Sequence, residues 1–124
     1  MVTFMFYITV VLQLAVSFGI LNVWLLRANQ TTSYRGAVSK SLKEEFAAYG
    51  LPEWMFYLVG FLKVSSAIAI LVGFLFPALI AVGAAVISVL MLGALVMHVK
   101  VKDPLLKSLP AISMLLMSLF LVVA

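Results

Sequence analysis

Few residues in this sequence could do chemistry, and Lys63 is the first of them. It sits near the middle of the apolar run Trp54–Gly73. An ammonium at the centre of a bilayer costs roughly 2.5–3.5 kcal/mol on insertion scales. Nothing about crossing a membrane requires it. His98 is the single histidine, and Gln13, Ser17, Asn22 and Ser88 are the other polar groups set within apolar runs that we single out. At about 1.5 Å per helical residue, Lys63 lies roughly 14 Å from the near end of its run. On the same basis Ser17 lies about 15 Å from Arg27, and Ser88 roughly 18 Å from Lys100. Gln13 is one turn beyond Ser17 on the same face. These four are expected to form one polar layer near the midplane. The layer holds no carboxylate, because Glu44, Glu45, Glu53 and Asp103 all lie in or beside the connections.

Three arrangements would satisfy Lys63. It snorkels toward Glu44 or Glu45 if the connecting segment folds inward. It is neutral, since burial lowers a lysine pKa. Or it meets the carbonyl, phosphate or carboxylate of a ligand or partner. His98 shares one helix face with Ala84, Ser88, Met91 and Leu95, at intervals of four and three residues. It is either an interfacial histidine bonded to a loop, or a proton relay or polar-head contact at a cavity mouth. Asn22 could share its level.

The elements that must position these groups follow from composition. Of 124 residues, 66% are hydrophobic and 10% charged, against about 25% charged in a soluble domain. A spanning helix needs about 20 apolar residues, so the chain has room for four. The predicted fold is all-α, an integral membrane four-helix bundle forming one domain over 1–124. Spans are expected at about 4–26, 53–73, 77–99 and 104–124. Pro77 suits the first position of the third helix. Asp103 reads as an N-cap before Pro104, and Pro110 as a kink. The N-terminal run has no basic flank and is read as a retained span rather than a signal peptide. The chain has no cysteine, which excludes thiolate catalysis and iron–sulfur ligation by its own residues.

Between the first two spans, Ser41-Leu-Lys-Glu44 fits a capping box. Leu42, Phe46 and Tyr49 follow on one face, and Gly50 and Pro52 fit a stop. The segment 42–49 is expected to be a short amphipathic helix, lying in the interface or tucked under the bundle. Trp54, Phe56, Tyr57 and Tyr49 read as an interfacial aromatic belt. Small residues along the third span, Ala81, Gly83, Ala84, Ala85, Ser88, Gly93 and Ala94, allow close helix packing, internally or against a second copy. All eight Lys/Arg except Lys63 lie in 27–53 and 99–108. That places both segments in the cytoplasm and both termini outside. The sequon Asn29-Gln-Thr31 then falls on the wrong side for glycosylation. The charge pattern orients a membrane protein and does not describe a nucleic-acid surface.

Several segments carry a resemblance. Phe46-Ala-Ala-Tyr-Gly-Leu-Pro52, Gly60-Phe-Leu-Lys63 with Ala67-Ile-Ala-Ile-Leu71, Met91-Leu-Gly-Ala-Leu-Val-Met-His98 and Asp103-Pro104 together resemble the DoxX-like family over about residues 15–124. The resemblance implies a small four-span protein of a bacterial inner membrane. The family takes its name from a subunit associated with thiosulfate:quinone oxidoreductase, and distant relatives act as assembly or cargo factors. Its polar positions correspond to Lys63, often Glu or Lys in relatives, and His98. Relatives often carry Gly-x-x-Lys near the end of the first span. This chain has Gly19-Ile-Leu-Asn22 and lacks that lysine.

Two functions of different class stand. One is an accessory membrane protein that holds a lipophilic ligand, a quinone or other isoprenoid lipid, with Lys63 and His98 toward its polar head. The chain has no redox group, so electrons would come from a partner. The other is a chaperone-like or structural subunit for another membrane protein, or an assembly with its own copies, in which Lys63 pairs with a partner's intramembrane acid. Transport ranks third, because four-span drug exporters rely on a carboxylate in the first span and none is present. With no nucleophile–base pair and no intramembrane acid, the sequence describes no self-sufficient enzyme.

Overall fold

A computed structural model of the chain describes residues 2–26 and 41–124. Arg27, Arg35, Lys40 and the Asn29–Thr31 sequon lie outside the described residues. Helix α1 spans Val2–Leu21 and runs into a π turn, Asn22–Leu26. Helix α2 is short, Leu42–Ala48. Three long helices follow: α3 Glu53–Val72, α4 Ala78–Lys100 and α5 Leu105–Val123. Four helices are long and apolar enough to cross a membrane. At ~1.5 Å per residue they reach about 28–36 Å, the thickness of a bilayer's hydrocarbon core.

The outside of the bundle is more apolar than its inside. Phe61, Val89 and Leu116 are 69%, 67% and 63% exposed, whereas Ser17 and Ser118 are wholly buried. In water that arrangement would be strongly unfavourable. In lipid it costs nothing, because lipid tails are as apolar as leucine and helices associate through close packing of small groups. The chain is thus an integral membrane protein.

The helices form a ring in the order α1, α3, α4, α5, with α2 against α3. Gln13 meets Ile70 and Trp24 meets Gly60, so α1 and α3 run antiparallel. Gly83 lies against the Ser66 carbonyl, where an added Cβ would come within 2.8 Å, and Ile80 lies against Gly73. So α3 and α4 are antiparallel as well. Gly19 receives the Met114 side chain of α5. Small residues of α4 divide by face: Gly83, Ala84 and Ser88 are buried, while Ala81, Ala85 and Gly93 face outward. The apolar core joins Val16, Ile20, Ala67, Ile70, Ala84, Ile87, Met91, Ala111 and Leu121.

Helix α2 is capped at both ends. Ser41 Oγ accepts from Glu44 N–H at 3.1 Å. At the other end Gly50 takes φ +80°, Gly50 N–H donates to Ala47 O and Leu51 N–H to Phe46 O. That is the Schellman pattern, which seats glycine in the left-handed region. Seven residues are too few for a stable isolated helix, so packing holds it. Leu42, Glu45 and Tyr49 are buried and Phe46 is half-buried. The helix is tucked under the bundle, not solvated, and the expected face of Leu42, Phe46 and Tyr49 includes Glu45.

Two helix starts differ from expectation. Pro77 and Pro104 occupy the N-cap positions, each one residue earlier than the first helical position, and neither has a side-chain cap. Asp103 does not cap α5, because its carboxylate turns back to His98. Pro110 lies inside an unbroken α5.

Helix α4 ends like α2, but with lysine in the glycine position. Lys102 N–H donates to Val99 O, Asp103 N–H to His98 O, and Lys102 has φ +58°. A left-handed non-glycine residue costs roughly 1–2 kcal/mol. Part of that is offset by the entropy glycine gives the unfolded chain. Lys102→Gly should therefore stabilise the protein by about 0.5–1 kcal/mol, read from unfolding in detergent. A loss of stability would contradict the strain.

Candidate functional site

The antiparallel ring brings the end of α1, all of α2, the start of α3, the end of α4 and the start of α5 to one end of the bundle. Ionisable side chains gather there beneath the apolar core. Helix α4 places His98 inward, 5% exposed. The left-handed turn at Lys102 carries the chain back so that Asp103 Oδ2 lies 2.8 Å from His98 Nδ1. Both side chains are nearly fully buried, and Lys107, one turn into α5, lies 4.0 Å from Asp103 Oδ1.

Helix α2 adds a second pair. Tyr49 O–H donates to Glu45 Oε1 at 2.5 Å within the buried layer. The Tyr49 ring meets the His98 ring edge-on, centroids 5.8 Å apart. Lys100 Nζ donates to Tyr49 O at 2.9 Å, tying the end of α4 to the end of α2. On the rim, Lys43 and Glu53 pair at 2.8 Å, and that carboxylate raises the Lys43 pKa above its ordinary value.

Lys63 reaches toward this layer from α3. Its Nζ lies 5.6 Å from the centre of the Trp24 ring, a cation–π distance. Trp24 is the hub of an aromatic cluster, 5.3 Å from Phe56 and 5.9 Å from Phe46 between centroids. It lies flat on Gly60, where a Cβ would come within 2.5 Å of the ring. Only glycine leaves that seat. Phe56 is half-buried against this ring and Tyr49 is buried, whereas Trp54 and Tyr57 are exposed. Beside the ring, between the π turn and α3, an apolar groove of about 430 Å³ opens outward.

The expected midplane layer is not joined by hydrogen bonds. Gln13 Nε2 donates to Ile70 O at 3.3 Å, and Ser88 Oγ donates to Ala84 O of its own helix at 2.8 Å. Ser17 is buried and its Oγ has no partner among the described residues. Asn22 sits half-buried in the π turn. Lys63 Nζ lies over the Trp24 ring instead. The residues that sequence reasoning passed over are Trp24 and Ser118. Trp24 had a signal, since it continues the inward series Gln13, Ile20 at helical spacing.

The arrangement supplies N–H donors from Lys63 and aromatic faces, with no activated nucleophile. Among the described residues no group of three or more His, Cys, Asp or Glu could hold a metal.

Two substitutions test the energetics. Asp103→Ala leaves His98 buried without its partner and should cost about 2 kcal/mol or more, with Asp103→Asn milder. Ser118 is buried with an unpartnered hydroxyl, a group whose burial costs roughly 1–3 kcal/mol. Ser118→Ala should raise stability by about 1 kcal/mol. Thermal unfolding in one detergent reads both, and the signs should be opposite.

Comparison with known proteins agrees with the fold. The sequence profile of the DoxX-like family matches residues 14–122, nearly the whole chain. No curated protein and no solved structure gives a significant match. Four apolar helices in a ring, with Lys63 and His98 within it and a family match of that extent, lead to one conclusion: the chain belongs to the DoxX-like family.

Proposed function

We propose that this protein is an accessory membrane subunit that holds a lipophilic ligand with a carbonyl head, such as a quinone or another isoprenoid lipid, beside a membrane oxidoreductase. One observation carries the proposal. Lys63 is half-buried within a membrane-spanning helix, with its Nζ 5.6 Å from the centre of the Trp24 ring. An ammonium among apolar helices favours an oxygen acceptor. A quinone carbonyl supplies one, and its ring stacks on tryptophan. His98 is committed to Asp103, so its part is to hold the end of the bundle rather than to meet the ligand. Electrons come from the partner. The α2 end faces the cytoplasm of a bacterial inner membrane, in keeping with the Lys/Arg counts.

A second function, assembly with another membrane protein, is favoured by the outward small residues of α4. Gly93 has open space before it, and Ala81 and Ala85 share the exposed side.

Native mass spectrometry of protein taken from membranes in mild detergent separates the two. The wild type should carry a quinone or isoprenoid lipid in about one-to-one amount. Lys63→Met should fold and arrive empty. A wild type that arrives bare but with a protein partner would replace the ligand function with the assembly function.

A further inference from the structure

The surroundings of α3 differ on two sides. At one end of the bundle α2 packs against it. Leu42, Glu45 and Tyr49 are buried there, and α2 is held by Lys100 on the Tyr49 carbonyl and by the Lys43–Glu53 pair. Toward the membrane the wall is thinner. The groove between the π turn and α3 is lined by Leu25, Tyr57, Phe61 and Val64 together with Trp24, and the first three are 64%, 58% and 69% exposed. Its outward face meets lipid.

Trp24 sits on Gly60. At 100° per residue Lys63 and the lining residue Phe56 lie about 60° and 40° to one side of Gly60, while Tyr57 and Val64 lie about 60° and 40° to the other. The Trp24 ring lines the groove and also carries the Lys63 ammonium, 5.6 Å from its centre. Its backbone is the π turn, a geometry that recurs at functional sites.

We propose that the ligand reaches Lys63 sideways from the bilayer through this groove, and that Trp24 is the movable ring that closes it. The inference rests on the ligand function of Lys63 given above. The occupant is a membrane-dissolved amphiphile. Its hydrocarbon tail stays in lipid and the groove, two surroundings of equal apolarity, so moving the tail has little cost. Its carbonyl head passes the ring to the ammonium. A water-soluble metabolite would have to come through the α2 end.

The absence of cysteine gives a direct test that uses no quinone. Lys63→Cys places one thiol behind the ring. In proteoliposomes its labelling is timed with pyrene maleimide, which dissolves in lipid, and with a sulfonated maleimide, which does not. Adding Trp24→Ala should speed the lipid reagent by about tenfold, a barrier change of ~1.4 kcal/mol, while Trp24→Phe changes it little. Gly60→Ala, which keeps the tryptophan but unseats it, should also speed labelling and covers the case in which Trp24→Ala does not fold. The sulfonated reagent should stay slow throughout. Equal lipid-reagent rates in all variants, or faster reaction with the sulfonated reagent, would overturn the lateral route. Fast lateral labelling of a protein that carries no ligand in mass spectrometry would instead remove the ligand function alone.

Discussion

Lipid offers no hydrogen bonds, so a chain that takes Glu45, His98 and Asp103 into a helix bundle must satisfy them from within. That requirement explains most of the α2 end. Helix α2 folds under the bundle because Glu45 and Tyr49 belong with the other polar groups and Leu42 belongs with the core. Asp103 abandons a cap position because a buried imidazole is the better partner. Lys102 accepts a left-handed backbone because that turn brings Asp103 to His98. Local preferences at three places yield to one electrostatic need. The result is a polar layer with few degrees of freedom, closed by caps on α2 and α4.

Above that layer the packing rule changes. With no hydrophobic driving force between helices in lipid, contact depends on how closely backbones approach. Gly83 against the Ser66 carbonyl is such an approach, and Gly19 makes room for the Met114 side chain. Interior serines follow from the same rule, since a small side chain fits where a leucine would not. Ser88 satisfies itself on its own helix. Ser17 and Ser118, with no partner among the described residues, show that small size outweighed hydrogen bonding at those positions.

Hydropathy and charge made the four long helices legible, because each is apolar over its whole length and bounded by turn residues. Ser41 and Gly50 announced α2, since caps are local chemistry. The polar site was read only in part. Lys63, Gln13, Ser17 and Ser88 were placed in one layer from axial depth alone, yet depth says nothing about which helix a side chain faces. Glu45 was legible only as one of two acids that could fold inward toward Lys63, because its pairing with Tyr49 depends on α2 forming. Asp103 was misassigned because Asp-Pro is a strong local start signal, and the competing contact with His98 is tertiary. Trp24 was passed over because one more large apolar residue in an apolar span carries no contrast.

That last omission matters most for function. A lysine in a membrane helix attracts attention by its cost, but its neighbour decides what it can do. If Lys63 were simply paired with Glu45, a salt bridge would need no tryptophan and no glycine seat. Gly60 weakens its helix by roughly 0.5–1 kcal/mol relative to alanine, and an ion pair gains nothing from that. The seat makes sense if the ring must lie flush against α3 and still be free to leave, since a flat ring on bare backbone has no interlocking side chain to hold it. The Trp24 face supplies a contact that a carbonyl-bearing ring can replace. A site held closed by interchangeable contacts suits a ligand that arrives from lipid and leaves the same way.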